Sequence, residues 1–64
     1  MDPNETYKLF CIALLNEDAD EAREAYTNLR VWLERGGFEP MEWSTHPFAR
    51  RQFFTFNVRT GQLS

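Results

Sequence analysis

Residues 18–35 read DADEAREAYTNLRVWLER, and this stretch predicts one amphipathic helix around which the rest of the chain is arranged. Its apolar residues recur at the helical period and would form one buried stripe: Ala22, Tyr26, Leu29 and Leu33, widened by Ala25 and Trp32. Asp18 is placed to cap the first turn, with Glu21 three residues later as its capping-box partner. Gly36 and Gly37 supply the left-handed backbone that ends a helix.

The length of the chain, 64 residues, predicts a single domain over residues 1–64, with flexible ends at residues 1–5 and 61–64. A core of this size supplies only about 3–5 kcal/mol, so small domains commonly gain stability from disulfides, a metal or a partner subunit. Cys11 is the only cysteine and His46 the only histidine, which argues against an internal disulfide and against a metal site. A partner subunit remains, and we expect a homodimer.

Charge and hydropathy argue against some classes of partner and indicate where the protein is located. The net charge is −3, which disfavours nucleic acid and membrane surfaces. The longest apolar run, residues 9–15, is too short to cross a bilayer, and the acidic start of the chain does not resemble a secretory signal. Together with the single cysteine, these features predict a cytoplasmic protein. No pattern indicates a cofactor or a small-molecule substrate.

Three further segments are predicted to be strands. Residues 6–15, TYKLFCIALL, are rich in aromatic and aliphatic side chains and are apolar on both faces. Residues 38–44 contain Pro40, which has no N–H to donate and therefore favours a sheet edge. Residues 51–59 alternate in side-chain direction, and residues 45–50, built around His46 and Pro47, would connect them to the second strand.

The order β-α-β-β predicts an α+β fold, with a three-stranded, mainly antiparallel sheet and the helix packed on one face. A crossover helix followed by a short connection gives the strand order 1-3-2, which is half of a ferredoxin-like unit. The residues expected beneath the helix are Phe10, Ile12, Leu14, Met41, Trp43, Phe54, Phe56 and Val58. A simple meander is the alternative, and the sequence leaves open whether strand one is central or at the edge.

The sheet face that the helix leaves uncovered is the main candidate binding surface, because half-apolar open faces mark interaction sites. It would consist of Tyr7, Leu9, Cys11, Arg51, Phe53, Thr55, Asn57 and Arg59. We expect this face and the edge of strand one to form the homodimer contact or to bind another protein. Secondary candidates for partner contacts are Asp18, Asp20, Glu21, Glu24, Trp32 and His46.

Two other classes of function are weighed against protein binding. Outward aromatics beside arginines are also how sheets stack single-stranded nucleic acid, so a small domain of that kind is the alternative. The net charge opposes it, and residues 50–58 lack the glycine of the RNA-recognition pattern. Catalysis finds no support, because neither Cys11 nor His46 has a partner group suggested by the sequence. The sequence therefore predicts a non-enzymatic protein–protein interaction or regulatory module.

Overall fold

The computed structural model describes residues 1–63, and 65% of it is helical. The helices are α1 (Pro3–Leu15), α2 (Ala19–Glu34), α3 (Glu42–Thr45) and α4 (Pro47–Phe54). Two short strands follow, β1 (Phe56–Asn57) and β2 (Gln62–Leu63).

The predicted helix is confirmed as α2, with the Asp18 cap and the glycine end that the sequence indicates. The predicted capping box is not completed by Glu21, because the Asp18 N–H donates to the Ala13 carbonyl. The Asp18 carboxylate accepts a hydrogen bond from the Glu21 backbone N–H at 3.2 Å. At the other end Gly36 takes a left-handed φ of 86°. The N–H groups of Gly36 and Gly37 donate back into the last turn at 3.0 Å, which satisfies carbonyls that a helix end would leave open. The buried residues of α2 are Ala22, Ala25, Tyr26 and Leu29.

The predicted first strand, residues 6–15, is wrong, because this segment belongs to helix α1. The buried Tyr7 and Phe10 and the half-buried Leu14 are spaced by three and four residues, which is helical spacing. A start signal also precedes them. The Asp2 side chain accepts a hydrogen bond from a backbone N–H of the first turn at 2.9 Å, and Pro3 begins the helix. The apolar character of both faces arises because the outer face of α1 also carries apolar side chains.

A tight turn over residues 16–18 joins α1 to α2 and sets the two helices side by side. Glu17 takes a left-handed φ of 55°, and the Asp18 N–H donates to the Ala13 carbonyl at 2.8 Å. The resulting helical hairpin contains the most extensive contact between any two elements of the described chain.

The second and third predicted strands are also wrong. Residues 38–41 have no regular structure, and the remainder of the second segment forms α3. The predicted connector begins α4, because Pro47 suits the start of a helix, where its missing N–H costs nothing. Ala49 and Phe53 lie one turn apart on the buried side of α4. The aromatic run is therefore helical as far as Phe54, and only its continuation at Phe56 enters a strand.

The described residues contain no three-stranded sheet, which overturns the predicted fold in favour of a mostly helical one. The two strands pair antiparallel, with Phe56 opposite Leu63 and Asn57 opposite Gln62. Neither the strand order 1-3-2 nor the meander applies. Because residues 6–15 are helical, the position of strand one within a sheet no longer arises as a question.

The core is an aromatic cluster where the helical hairpin meets the C-terminal half. Phe53 is fully buried, and its ring centroid lies 5.1 Å from that of Phe10 on α1 and 4.8 Å from that of Tyr26 on α2. Phe56 contacts the same two rings at 5.1 and 4.8 Å. The ring of Trp43 of α3 lies 5.2 Å from that of Phe53, and its buried indole N–H has no hydrogen-bond acceptor among residues 1–63.

The residues predicted beneath the helix divide into two groups. Phe10, Trp43 and Phe56 are buried and Leu14 is half-buried. Ile12, Met41, Phe54 and Val58 are exposed. Ile12 and Phe54 lie on helices, which turn every other residue of a supposed strand away from a shared face, whereas Met41 and Val58 lie in turns. This difference moves several large apolar side chains from the predicted core to the surface.

The two ends of the described chain belong partly to regular elements. Residues 3–5 form the first turn of α1, and residues 62–63 form β2, while Ser64 lies outside the described residues. The flexibility expected for residues 1–5 and 61–64 stays a prediction. No helix within residues 1–63 combines the length and the hydropathy that crossing a bilayer requires.

Candidate functional site

A groove of about 630 Å³ lies between α1 and the segment that leads into and through α3. Its α1 side is formed by Asn4, Tyr7, Lys8, Cys11 and Ile12, and its other side by residues 40–42 and 44–46. We call this the α1 groove. It is larger than two other grooves on the described residues, of about 310 and 270 Å³, and is therefore the first candidate site.

Two contacts hold the walls of the α1 groove together. The Asn4 side-chain oxygen accepts a hydrogen bond from the Met41 backbone N–H at 2.7 Å. Below this bond, the Tyr7 and Trp43 rings meet nearly perpendicular, with centroids 5.6 Å apart. The groove is thus a product of packing between residues about 36 positions apart, which a local sequence pattern does not reveal.

The cysteine in the α1 groove is not prepared for nucleophilic chemistry. Burial raises the pKa of the Cys11 thiol, and the nearby Glu42 carboxylate adds to the rise, while interaction with the Tyr7 hydroxyl offsets part of it. Burial also raises the pKa of Tyr7, with a further contribution from Cys11. Both groups are therefore neutral near pH 7, whereas a reactive cysteine needs a lowered pKa.

The remaining ionisable groups of the α1 groove are few and spread along its length. Lys8 and Glu42 stand on opposite walls, and His46 lies at the end of α3, where its ring contacts Phe48 at 5.7 Å between centroids. No three His, Cys, Asp or Glu side chains within residues 1–63 come together in a way that would hold a metal ion.

The outer face of α1 beside the groove carries exposed apolar side chains. Leu9, Ile12 and Leu15 succeed one another at three-residue intervals and are 58%, 43% and 83% exposed. Met41, on the far wall of the groove, is 72% exposed. Ile12 and Met41 also line the groove. We call Leu9, Ile12, Leu15 and Met41 the α1 apolar face.

The predicted sheet face does not exist as a surface, because its residues lie on different elements. Tyr7 and Phe53 are in the aromatic core. Cys11 lines the α1 groove and Leu9 belongs to the α1 apolar face. The other members lie in the C-terminal half: Arg51 on α4, Thr55 at its end, Asn57 in β1 and Arg59 in the turn that follows.

Four of the six secondary candidates lie at the start of α2, and Trp32 and His46 lie elsewhere. Asp18 caps α2 and Asp20 pairs with Arg23 at 2.7 Å. Glu21 and Glu24 are exposed on the same helix.

The Trp32 indole N–H donates to the Phe38 carbonyl at 2.9 Å, so this ring is held against the loop after α2. Of the secondary candidates, only His46 lines the α1 groove, where it joins Tyr7 and Cys11. A role for any of these residues in partner contacts stays a prediction.

Sequence reasoning missed Ile12 and Met41 as surface residues, because it assigned both to the core of a sheet. A signal for Ile12 was present: Leu9, Ile12 and Leu15 follow a helical interval on the side of α1 opposite the buried Phe10. Met41 carried no such signal, since it lies in a segment without regular structure.

Comparison of the chain with models of protein families, with curated proteins and with solved structures finds no match in any of the three.

Proposed function

We propose that this chain is a non-enzymatic protein–protein interaction module that forms a homodimer through the α1 apolar face. The observation that carries the proposal is the row of exposed Leu9, Ile12 and Leu15 beside the exposed Met41. An apolar strip of this kind on a small domain is typical of a surface that is covered by a partner.

The size of the chain supports self-association. A domain of this length has a stabilising core of only about 3–5 kcal/mol, and association adds to the stability of the folded state. A standard interface buries about 800 Å² on each partner. The described chain exposes 4530 Å² in total, so such a dimer would cover roughly a sixth of it.

Helix geometry supports an antiparallel pairing of α1 with α1 of a second copy. A twofold axis near the middle of the helix would bring Leu9 of one copy opposite Ile12 of the other, and two hairpins would become a four-helix arrangement. Side chains of the second copy would also enter the α1 groove and cover Cys11. The unpaired cysteine suits a reducing compartment, and we place the proposed dimer in the cytoplasm.

The proposal is tested by the oligomeric state of the full chain. Light scattering after gel filtration at micromolar concentration should give twice 7.6 kDa. Ile12→Glu should give a folded monomer, because the side chain is exposed in one copy and a buried charge in the dimer is costly. Val31→Glu is the matched control, since Val31 is β-branched, helical and 41% exposed, and it should remain a dimer.

A second readout uses Cys11. Its alkylation should slow as protein concentration rises through the dimerisation range, because the partner covers the groove. A monomeric wild-type chain would contradict the proposal. So would a monomer produced by Val31→Glu but not by Ile12→Glu, which would move the contact to α2. The nucleic-acid alternative has lost the aromatic sheet on which it was based, since Phe53 is buried.

A further inference from the structure

Two arginines contact one exposed phenylalanine where α4 meets α2, and a third arginine lies one helical turn before it. The guanidinium carbon of Arg50 lies 5.1 Å from the centre of the Phe54 ring, and that of Arg30 lies 5.5 Å from it. Arg51 precedes Phe54 by one helical turn and therefore lies on the same side of α4. Phe54 itself is 40% exposed. We call these four residues the Arg–Phe cluster.

Two arginines of the Arg–Phe cluster, Arg30 and Arg50, are held in place by contacts within the chain. Arg30 donates to the Tyr26 hydroxyl at 2.8 Å and to Glu34 at 3.4 Å. Arg50 donates through Nε to Glu39 at 2.9 Å. A guanidinium held against a ring and by a carboxylate loses little further freedom on binding.

Donor capacity remains in the cluster. The terminal nitrogens of Arg50 form no hydrogen bond within residues 1–63, and Arg51 forms neither a hydrogen bond nor an ion pair with any residue in that range. The fork of N–H donors on arginine matches the two oxygens of a carboxylate or of a phosphate. The cluster can therefore accept an additional anion.

Local charge decides between these two kinds of anion. Three of the seven cationic side chains of the chain lie here, although its net charge is −3. Glu34 and Glu39 accompany them, which leaves a local excess of one positive charge, three minus two. Nucleic-acid affinity depends on neutralising several phosphates at once, and carboxylates in the patch repel a polyanion. A local excess of one positive charge is therefore matched by one additional carboxylate.

We propose that the Arg–Phe cluster binds an acidic segment of a partner protein, with a carboxylate on Arg50 and Arg51 and an apolar side chain on the Phe54 ring. Arg30 and Arg50 each already contact one carboxylate oxygen, of Glu34 and Glu39 respectively. This surface shares no residue with the α1 apolar face, so its use does not depend on the dimer.

The test is an NMR titration of the full chain with a blocked eight-residue peptide of serine and glycine that carries one glutamate next to one phenylalanine. The amide of Phe54 and the Nε–Hε signals of Arg30 and Arg50 should shift saturably, with a dissociation constant below about 1 mM. Arg51→Gln should weaken binding about threefold to tenfold, because it removes one charged donor without touching the fold.

Arg35→Gln is the matched control. It removes the same charge from an exposed arginine without an ion pair in residues 1–63, about 140° around α2 from Arg30. Its affinity should stay within about twofold of wild type. Absence of saturable shifts, or equal weakening by Arg51→Gln and Arg35→Gln, would overturn the proposal. Tighter binding of an eight-nucleotide single-stranded DNA than of the peptide would overturn it as well.

Discussion

The two halves of this molecule are held together in different ways. Residues 3–34 form a hairpin of two long helices that contact each other along their length. Residues 42–63 form four short elements, none longer than eight residues, which join the hairpin mainly through buried aromatic rings. Short elements bury little area for each residue and therefore depend on large side chains at a few positions. Changes at those positions should therefore cost more than changes elsewhere.

The largest effect should come from Phe53→Ala. Phe53 is fully buried against rings from α1, α2 and α3, and removing such a ring costs about 3–5 kcal/mol. This equals the whole stability that a core of this size supplies. We expect loss of helical circular dichroism at 25 °C. Phe48→Ala is the control, because Phe48 is 54% exposed and should unfold at nearly the wild-type denaturant concentration. Cooperative unfolding of Phe53→Ala within about 1 kcal/mol of wild type would refute the aromatic anchor.

An effect of intermediate size is expected from alanine substitutions at two glycines that both have left-handed backbone conformations. The two substitutions should lower the free energy of unfolding by different amounts. Gly61 has a φ of 72° and packs directly against Ala19 at the start of α2, whereas Gly36 has a φ of 86° and open space around it. Alanine at Gly36 should cost about 1–2 kcal/mol for the backbone alone. Alanine at Gly61 should cost about 2–4 kcal/mol, because overpacking against Ala19 is added.

Chemical denaturation of the two variants measures the difference. Arg23 supplies an independent tie at the same place, since its Nε donates to the Val58 carbonyl at 2.6 Å. Equal decreases in the free energy of unfolding for Gly36→Ala and Gly61→Ala would mean that the C-terminal turn does not pack closely against Ala19 of α2.

The smallest expected effect is the change in pH-dependent stability caused by Tyr7, whose ring joins α1 to Trp43. This effect is small at neutral pH and increases at alkaline pH. The pKa of Tyr7 is raised in the folded state by burial, so above about pH 10 the unfolded chain loses this proton while the folded chain keeps it. Stability should therefore fall with rising pH from that point, by at most about 1.4 kcal/mol for each pH unit.

Tyr7→Phe should remove this part of the alkaline loss, with Cys11→Ser as the control for the thiol, whose pKa is also raised. Urea denaturation at a series of pH values provides the measurement. A parallel decline in wild type and Tyr7→Phe would contradict the role of Tyr7.

The same contrast explains how much of the fold could be predicted. Helix α2 was predictable because Asp18, Gly36 and the stripe of Leu29 and Tyr26 all indicate one structure. Helix α1 carried equally good signals in Asp2 and Pro3, but its aromatic and aliphatic composition favoured a strand. The alternation of Phe54 and Phe56 predicted a single strand. It arises instead because Phe54 ends helix α4 and Phe56 begins strand β1.

The candidate sites were less accessible to sequence reasoning. Tyr7, Cys11 and His46 were each identified as candidates, but their meeting in one groove depends on the packing of α1 against α3. The Arg–Phe cluster was not predicted, because Arg30 and Arg50 are 20 positions apart and meet only when α4 lies on α2. Long-range packing of short elements is the information that periodicity omits.

The tight turn at residues 16–18 also bears on how the chain folds in time. Contacts within a hairpin of adjacent helices span few residues, and local contacts of this kind form rapidly. We expect the hairpin to be largely formed in the transition state, with Phe53 and Phe56 docking afterwards. Conservative changes at Phe53, such as Phe53→Leu, would then accelerate unfolding more than they slow folding. The lifetime of the folded state would be set by the C-terminal half, and its rate of formation by the turn at Glu17.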